Sequence, residues 1–237
     1  MGNVTIKSLG ERLYGSVPNV NKCTNFGALA IDGKRLWCLK TNKTNTMSTL
    51  YIYPSVENLS KFETRKYTLR MGHGNGMTYN YDTKELVIAP LDKYVQILET
   101  ANAYKRRKAT STVNINNIAY VGHDRYISGN NELEIQGTKI VNHRIKRSYD
   151  SINELERFSS YNIGQDIGFY KGHVYIIRSH NTKRGNAIYR FPLYGFEPDM
   201  VYVSERAVEF ESLAFSGNTM YIASNSEKGD YIFTAKL

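Results

Sequence analysis

Few side chains of this 237-residue chain could do chemistry, and they fall at comparable places. Asp166 and Glu211 each precede a short apolar run. Two carboxylates at a fixed separation are what general acid–base hydrolysis of a glycosidic bond needs, so with His73 assisting they are the candidate catalytic set for a glycan or phosphoester hydrolase. His73 stands between Gly72 and Gly74. Flexible neighbours can present its imidazole to a substrate or let it cap a loop by bonding backbone carbonyls. Amides occupy matching positions at Asn75, Asn116, Asn117 and Gln165, and Asn25, like His73, stands slightly upstream of them. Amides and carboxylates converging on one place suit hydrogen bonding to sugar hydroxyls or to a small polar ligand, with Tyr and Trp faces for stacking. They could equally satisfy one another through ordered water.

Other chemistries lack their patterns. There is no GxSxG nucleophile motif. The run Gly72-His73-Gly74-Asn75-Gly76 leads towards a strand and lacks the Lys-Ser/Thr of a phosphate cradle. Cys23 and Cys38 show neither CxxC spacing nor a Cys/His cluster, which argues against a zinc site and leaves a single disulfide open. Cys38, inside Leu36-Trp37-Cys38-Leu39, reads as a buried small hydrophobe. Asp166, Glu211 and amide oxygens are ligands a hard cation accepts, but no loop of alternating carboxylates is present. No metal and no cofactor are expected.

What must position these residues is a repeat. The runs Gly27–Trp37, Asn75–Ile88, Asn116–Ile127, Gln165–Ile176 and Glu211–Ile222 share one form: a polar or small pair, an apolar strand, a tight turn, a second strand. Their first apolar residues, Leu29, Met77, Ile118, Ile167 and Leu213, lie 48, 41, 49 and 46 residues apart. That spacing is the length of a β-propeller blade, and Asp/Gly, His/Asp and Gly/Asn pairs supply hairpin turns. Third strands follow at 50–53, 94–98, 132–135, 187–191 and 231–233, and more polar fourth strands are clearest at 62–67 and 199–203. The fold class read from this is all-β: one five-bladed β-propeller domain spanning 1–237, with blade cores near 27–69, 75–112, 116–149, 165–204 and 211–237 plus 3–14. The stretch 3–14 should close the last blade and cover its edge. Only Asn153–Phe158 has helical character. In such a ring the residues before each apolar anchor meet at one mouth of the central channel, with Gly27 and Ala28 of the first unit leaving room there. His123 and His173 fall in hairpin turns and read as exposed.

Lys plus Arg total 31 against 22 Asp plus Glu, a net charge of +9, which favours anionic partners. The densest basic clusters are Lys105–Lys108 and Arg144–Arg147, with Lys183-Arg184 a weaker third. No RNP, zinc-finger or helix-turn-helix pattern accompanies them, so nucleic acid is not the expected partner. No run approaches about 18 apolar residues, the opening segment lacks a secretory apolar core, and Ile6 stands where myristoylation needs Ser or Thr. Membrane insertion is not expected. Location stays open between a virion or cell surface and the cytoplasm, as does the oligomeric state.

Over Gly72–Asn80 and Lys84–Ala89 the chain resembles helveticin-type bacteriocins and the propeller platform of staphylococcal phage receptor-binding proteins. The resemblance implies recognition of a cell surface or wall polymer and extends to His73 and Asn75 at most. Without a coiled-coil stem or attachment domain, a complete phage fibre protein is not implied. Taken together, the expected function is a non-enzymatic module that binds a glycan through the polar funnel and a teichoic-acid-like anionic polymer through its basic surface. The alternatives are the hydrolase above and an intracellular interaction scaffold that uses blade edges and loops.

Overall fold

The computed structural model describes residues 4–67, 71–102, 105–129, 135–147, 163–179, 185–194 and 197–237. Every regular element among them is a β-strand. After β1 (Thr5–Ser8) and β2 (Arg12–Ser16), the strands β3 (Asn25–Ile31), β4 (Leu36–Thr41), β5 (Ser48–Tyr53) and β6 (Glu63–Tyr67) form an antiparallel sheet. An eight-stranded sheet follows in two halves. One half is β7 (Gly76–Asn80), β8 (Glu85–Ala89), β9 (Asp92–Glu99) and β10 (Arg106–Ile115), and the other is β11 (Asn117–Gly122), β12 (Arg125–Gly129), β13 (Ile135–Val141) and β14 (Arg144–Arg147). They join where β10 and β14 run parallel, with Thr110 opposite Arg144. Next come β15 (Ile163–Tyr170), β16 (His173–Ser179), β17 (Asn186–Pro192) and β18 (Met200–Ser204), then β19 (Glu209–Ser216), β20 (Thr219–Asn225) and β21 (Tyr231–Lys236).

Alternation explains why these segments are strands buried on both faces. In β4, Leu36 and Cys38 pack with Phe26, Tyr51 and, from another sheet, Tyr221 and Ile232. Trp37 and Leu39, pointing the other way, pack with Met77, Leu86 and Ile88. Truncating one such core residue, as in Leu39→Ala, costs about 2–5 kcal/mol. Comparable clusters join the two halves of the eight-stranded sheet, β11–β12 to β15–β17, and β16–β18 to β19–β21. The first strands pack in a closed cycle: β3 on β7, β7 on β11, β11 on β15, β15 on β19 and β19 on β3. Hairpins at His123-Asp124 and Lys171-Gly172 hold both central residues at positive φ, matching the right-handed twist of the strands they join.

The opening segment divides, contrary to the expectation that 3–14 forms one outer strand. β2 pairs antiparallel with β21, Arg12 opposite Thr234 and Ser16 opposite Tyr231. β1 instead runs parallel to β18, Thr5 opposite Met200. Gly10, at φ 63°, turns the chain between them. Glu11 pins the crossing by accepting from Ser204 Oγ at 2.6 Å and Arg206 Nε at 2.8 Å. Behind β2, the fully buried Lys40 forms an ion pair with Asp230, at the head of β21. Its ammonium also donates to the carbonyls of Val17 and Pro18 and to Asn19 Oδ1. The stretch 153–158 expected to be helical, the pair Lys183-Arg184 and residues 132–134 lie outside the described residues. Cys23 and Cys38 are free and buried.

Candidate functional site

The first strands of the cycle begin at one mouth of the channel and end at the other, and the two mouths differ. At the beginnings of these strands the ladders carry β-bulges between Phe26 and Ala28, between Gly164 and Ile167, and between Phe210 and Ser212. A bulge re-aims the extra residue, and the residues concerned are Gly27, Gln165 with Asp166, and Glu211. Asp166 is buried against three other strands. Its Oδ1 accepts from its neighbour Ile167 N at 2.8 Å, and its Oδ2 accepts from Ser212 Oγ at 2.5 Å and Leu213 N at 3.3 Å. Ser212 Oγ in turn accepts from Leu29 N at 3.0 Å. A Cβ on Gly76 would fall 2.8 Å from both Asp166 Oδ1 and Asn117 Cα, so β7 and β11 close on the same carboxylate. Asp166 thus staples the waist of the channel. Burial pushes its carboxyl well above the usual range, and its hydrogen bonds pull it back.

Around the staple several of the polar groups bond to one another. Asn225 Nδ2 donates to Glu211 Oε1 at 2.7 Å and to Asn25 Oδ1 at 2.9 Å, while its Oδ1 accepts from Phe26 N. Asn25 Nδ2 lies 3.4 Å from His73 Nε2, and burial lowers the imidazole's proton affinity. Gln165 Nε2 donates to Glu209 Oε1 at 2.7 Å. Burial, and then the neighbouring charge of Glu209, hold Glu211 well above its ordinary value. Asn116 and Asn117 have buried Oδ1 atoms with no hydrogen bond among the described residues, and half-buried Asn75 adjoins Gly76. Gly27 and Ala28, expected to leave room, leave none. Both are buried, and a Cβ on Gly27 would fall 2.5 Å from the Gly74 carbonyl oxygen. His123 is exposed, whereas His173 is partly covered, its Nδ1 2.9 Å from the Lys171 carbonyl.

At the opposite mouth, where the same strands end, lies a cavity of about 490 Å³. Six aromatic rings line it: Tyr79, Tyr81, Tyr120, Phe169, Tyr170 and Phe215. Three of the four tyrosine hydroxyls are tied to the neighbouring hairpin. Tyr81 Oη donates to the Ile31 carbonyl at 3.1 Å, Tyr120 Oη to Asp82 Oδ2 at 2.5 Å, and Tyr170 Oη to the Gly217 carbonyl. Burial and the Asp82 bond keep the Tyr120 phenol protonated far above neutral pH. Tyr170 stacks on Phe215 with centroids 5.0 Å apart, and Tyr79 meets Tyr81 edge-on at 4.8 Å. Thr78, Ser216 and Lys171 add polar groups to the lining.

None of Asn25, His73, Asn75, Asn116, Asn117, Gln165, Asp166 and Glu211 lines this cavity. The structure brings Asn25, His73 and Glu211 into one network and Asp166 into the waist below it. The aromatic mouth was missed, yet it leaves a trace in the sequence: Ile31, Tyr79, Tyr120, Phe169 and Phe215 each follow their anchor by two.

No family model and no curated protein matches the chain. Among solved structures it is similar to glutaminyl cyclase from Myxococcus xanthus, at 6% identity and TM-score 0.66, covering 99% of this chain and 100% of that one. It is also similar to the WD40 β-propeller domain of Doa1, at 9% identity and TM-score 0.58, covering 97% and 98%. A third likeness is to regucalcin, a calcium-binding protein of Agrobacterium tumefaciens strain C58, at 9% identity and TM-score 0.54, covering 98% and 95%. These likenesses establish an all-β propeller fold. They do not reach the narrower resemblance to helveticin-type or phage proteins. The fold serves unrelated activities, so it does not choose one.

Proposed function

We propose that the chain is a single five-bladed β-propeller acting as a non-enzymatic recognition module that holds a glycan residue in its aromatic mouth. The closed cycle of first strands supports the count, with β3–β6, β7–β10, β11–β14, β15–β18 and β19–β21 plus β2 as the blades. The observation that carries the function is the cavity whose rings come from several blades and three of whose four tyrosine hydroxyls are already engaged across blade boundaries. Rings fixed in this way offer faces to a sugar at little entropic cost. Thr78 Oγ1 accepts from Tyr120 N and keeps its own proton to donate to a ligand hydroxyl. The hydrolase alternative draws no comparable support, because both oxygens of Asp166 are engaged in the fold. A wall glycan is the class of ligand we favour.

Binding of bacterial wall oligosaccharides to wild type, Tyr81→Ala and Asn75→Ala/Gln165→Ala tests this. Loss of one ring should weaken affinity about 3–10-fold, the equivalent of about 0.5–1.5 kcal/mol per aromatic contact. The polar-mouth variant should bind like wild type. Loss confined to Asn75→Ala/Gln165→Ala would return the site to the polar mouth, and no binding by wild type would overturn the proposal.

A further inference from the structure

The aromatic mouth opens onto a row of positive charge. Arg125 on β12 stands directly opposite Lys139 on β13, and Lys139 directly opposite Lys146 on β14. Residues paired in this way share a face of the sheet, so three cations occupy neighbouring strands about 4.8 Å apart. The lysines are exposed, and neither has an ion pair or hydrogen bond among the described residues. Unlike these two lysines, Arg107 forks onto Glu85 at 2.7 and 2.9 Å and Lys105 meets Glu99 at 2.8 Å. Like charges directly opposite one another destabilise a sheet, so Lys139 facing Lys146 is a cost that an arriving anion would relieve.

The row begins at the cavity. Gly122 lines the cavity and pairs with Arg125, and each further strand steps outward, so Lys146 is roughly 14 Å from the wall. Fourth strands start at this same end. Their opening residues, Arg106 to Lys108 on β10 and Arg144 to Lys146 on β14, therefore bring both basic clusters of the sequence to the aromatic side. We propose that Arg125, Lys139 and Lys146 form a track for a linear glycan with one anionic group per repeat, which runs outward from the residue held in the cavity. This rests on the glycan reading of the aromatic mouth and extends it from one sugar to a charged chain. Ammonium groups on long stems act as point charges without bidentate geometry, so the track supplies affinity and direction while the cavity supplies the fit. Thr78 and Ser216 hydroxyls among the rings favour a polyhydroxylated ligand over a nucleic acid base.

The test is fluorescence anisotropy at 50 and 500 mM salt with four probes of equal length: a uronate oligosaccharide, its carboxyl-reduced neutral form, a phosphodiester-linked oligosaccharide and single-stranded DNA. Lys139→Gln/Lys146→Gln is compared with Lys22→Gln/Lys43→Gln, which removes the same charge from exposed sites elsewhere, and with Tyr81→Ala. Wild type should bind an anionic glycan probe more tightly than the neutral form, and the more tightly bound of the two identifies the anion. The track variant should lose about tenfold in affinity at 50 mM salt, less than about twofold at 500 mM, and nothing towards the neutral probe. Tyr81→Ala should weaken all glycan probes alike. Equal loss in Lys22→Gln/Lys43→Gln, or none in the track variant, overturns the track while leaving the cavity reading intact. Indifference of every probe to Tyr81→Ala overturns the cavity reading instead. DNA bound as tightly as the glycans and lost in the track variant would replace the glycan by nucleic acid. Without ligand, Lys139→Gln should raise Tm at 50 mM salt and not at 500 mM, and an unchanged Tm at both would remove the strain on which the row was identified.

Discussion

The two mouths of the channel are built from the same strands a few residues apart, yet they spend their side chains differently. At one, Asn25, Asn225, Gln165, Glu209 and Glu211 bond to one another above the Asp166 staple. At the other, Tyr79, Tyr120, Phe169 and Phe215 border open space. Buried polar groups must find partners, and when bulges bring them together the nearest partners are each other. Aromatic rings carry no such obligation once a hydroxyl is tied, so their faces remain available to a ligand. Convergence of polar residues on an axis therefore marks cohesion here, and convergence of rings marks access.

The sharpest way to break this contrast is Asp166→Ala. It strands Ser212 Oγ and two backbone N–H groups in the waist, at a cost of about 3–5 kcal/mol, or roughly 6–20 °C in Tm for a chain of this size. A stable variant that loses ligand would make the waist a binding site. Phe215→Leu removes the partner of Tyr170 and Tyr175 while keeping most of the volume. It should cost about 1–2 kcal/mol of stability in thermal unfolding and weaken glycan affinity at least as much. Unaltered affinity would detach the rings from function.

The smallest effect concerns pH. Glu211 is raised in the folded state by burial and then by Glu209. Its folded form holds a proton that the unfolded form releases near pH 4, so the stability it contributes is complete below that pH and is lost as pH rises through the folded value. Glu211→Gln keeps an acceptor for Asn225 and a donor for Glu209, so its Tm should fall less than that of wild type between pH 5 and pH 8. Parallel curves would show that the raised Glu211 carboxyl does not set the pH dependence of stability.

Much of the fold is legible in the sequence because it is local. Leu29, Met77, Ile118, Ile167 and Leu213 all lie on the first strands of their units, and the turn residues after them adopt the positive φ that their types allow. The split at Gly10 was not legible, since nothing in residues 3–14 names two different partner strands. The open mouth was hidden for a related reason. Asp166 finds Ser212 across 46 residues and Asn225 finds Asn25 across 200, and no spacing rule shows that such pairs will spend each other's valences. The aromatic two residues after four of the five anchors, with Ile31 after the first, was visible, but alternation assigns that position to the core, and only the ring of strands turns it towards a channel.

The pairing of β2 with β21 has a bearing on how the molecule is made. Arg12 leaves the ribosome some two hundred residues before Thr234, its partner. Until then Leu13 and the strand around it have no ladder, and Lys40 awaits the carboxylate of Asp230. Contacts so distant in sequence form slowly, so ring closure must wait for β21, and a nascent chain stalled before Asp230 would present open edges to its neighbours.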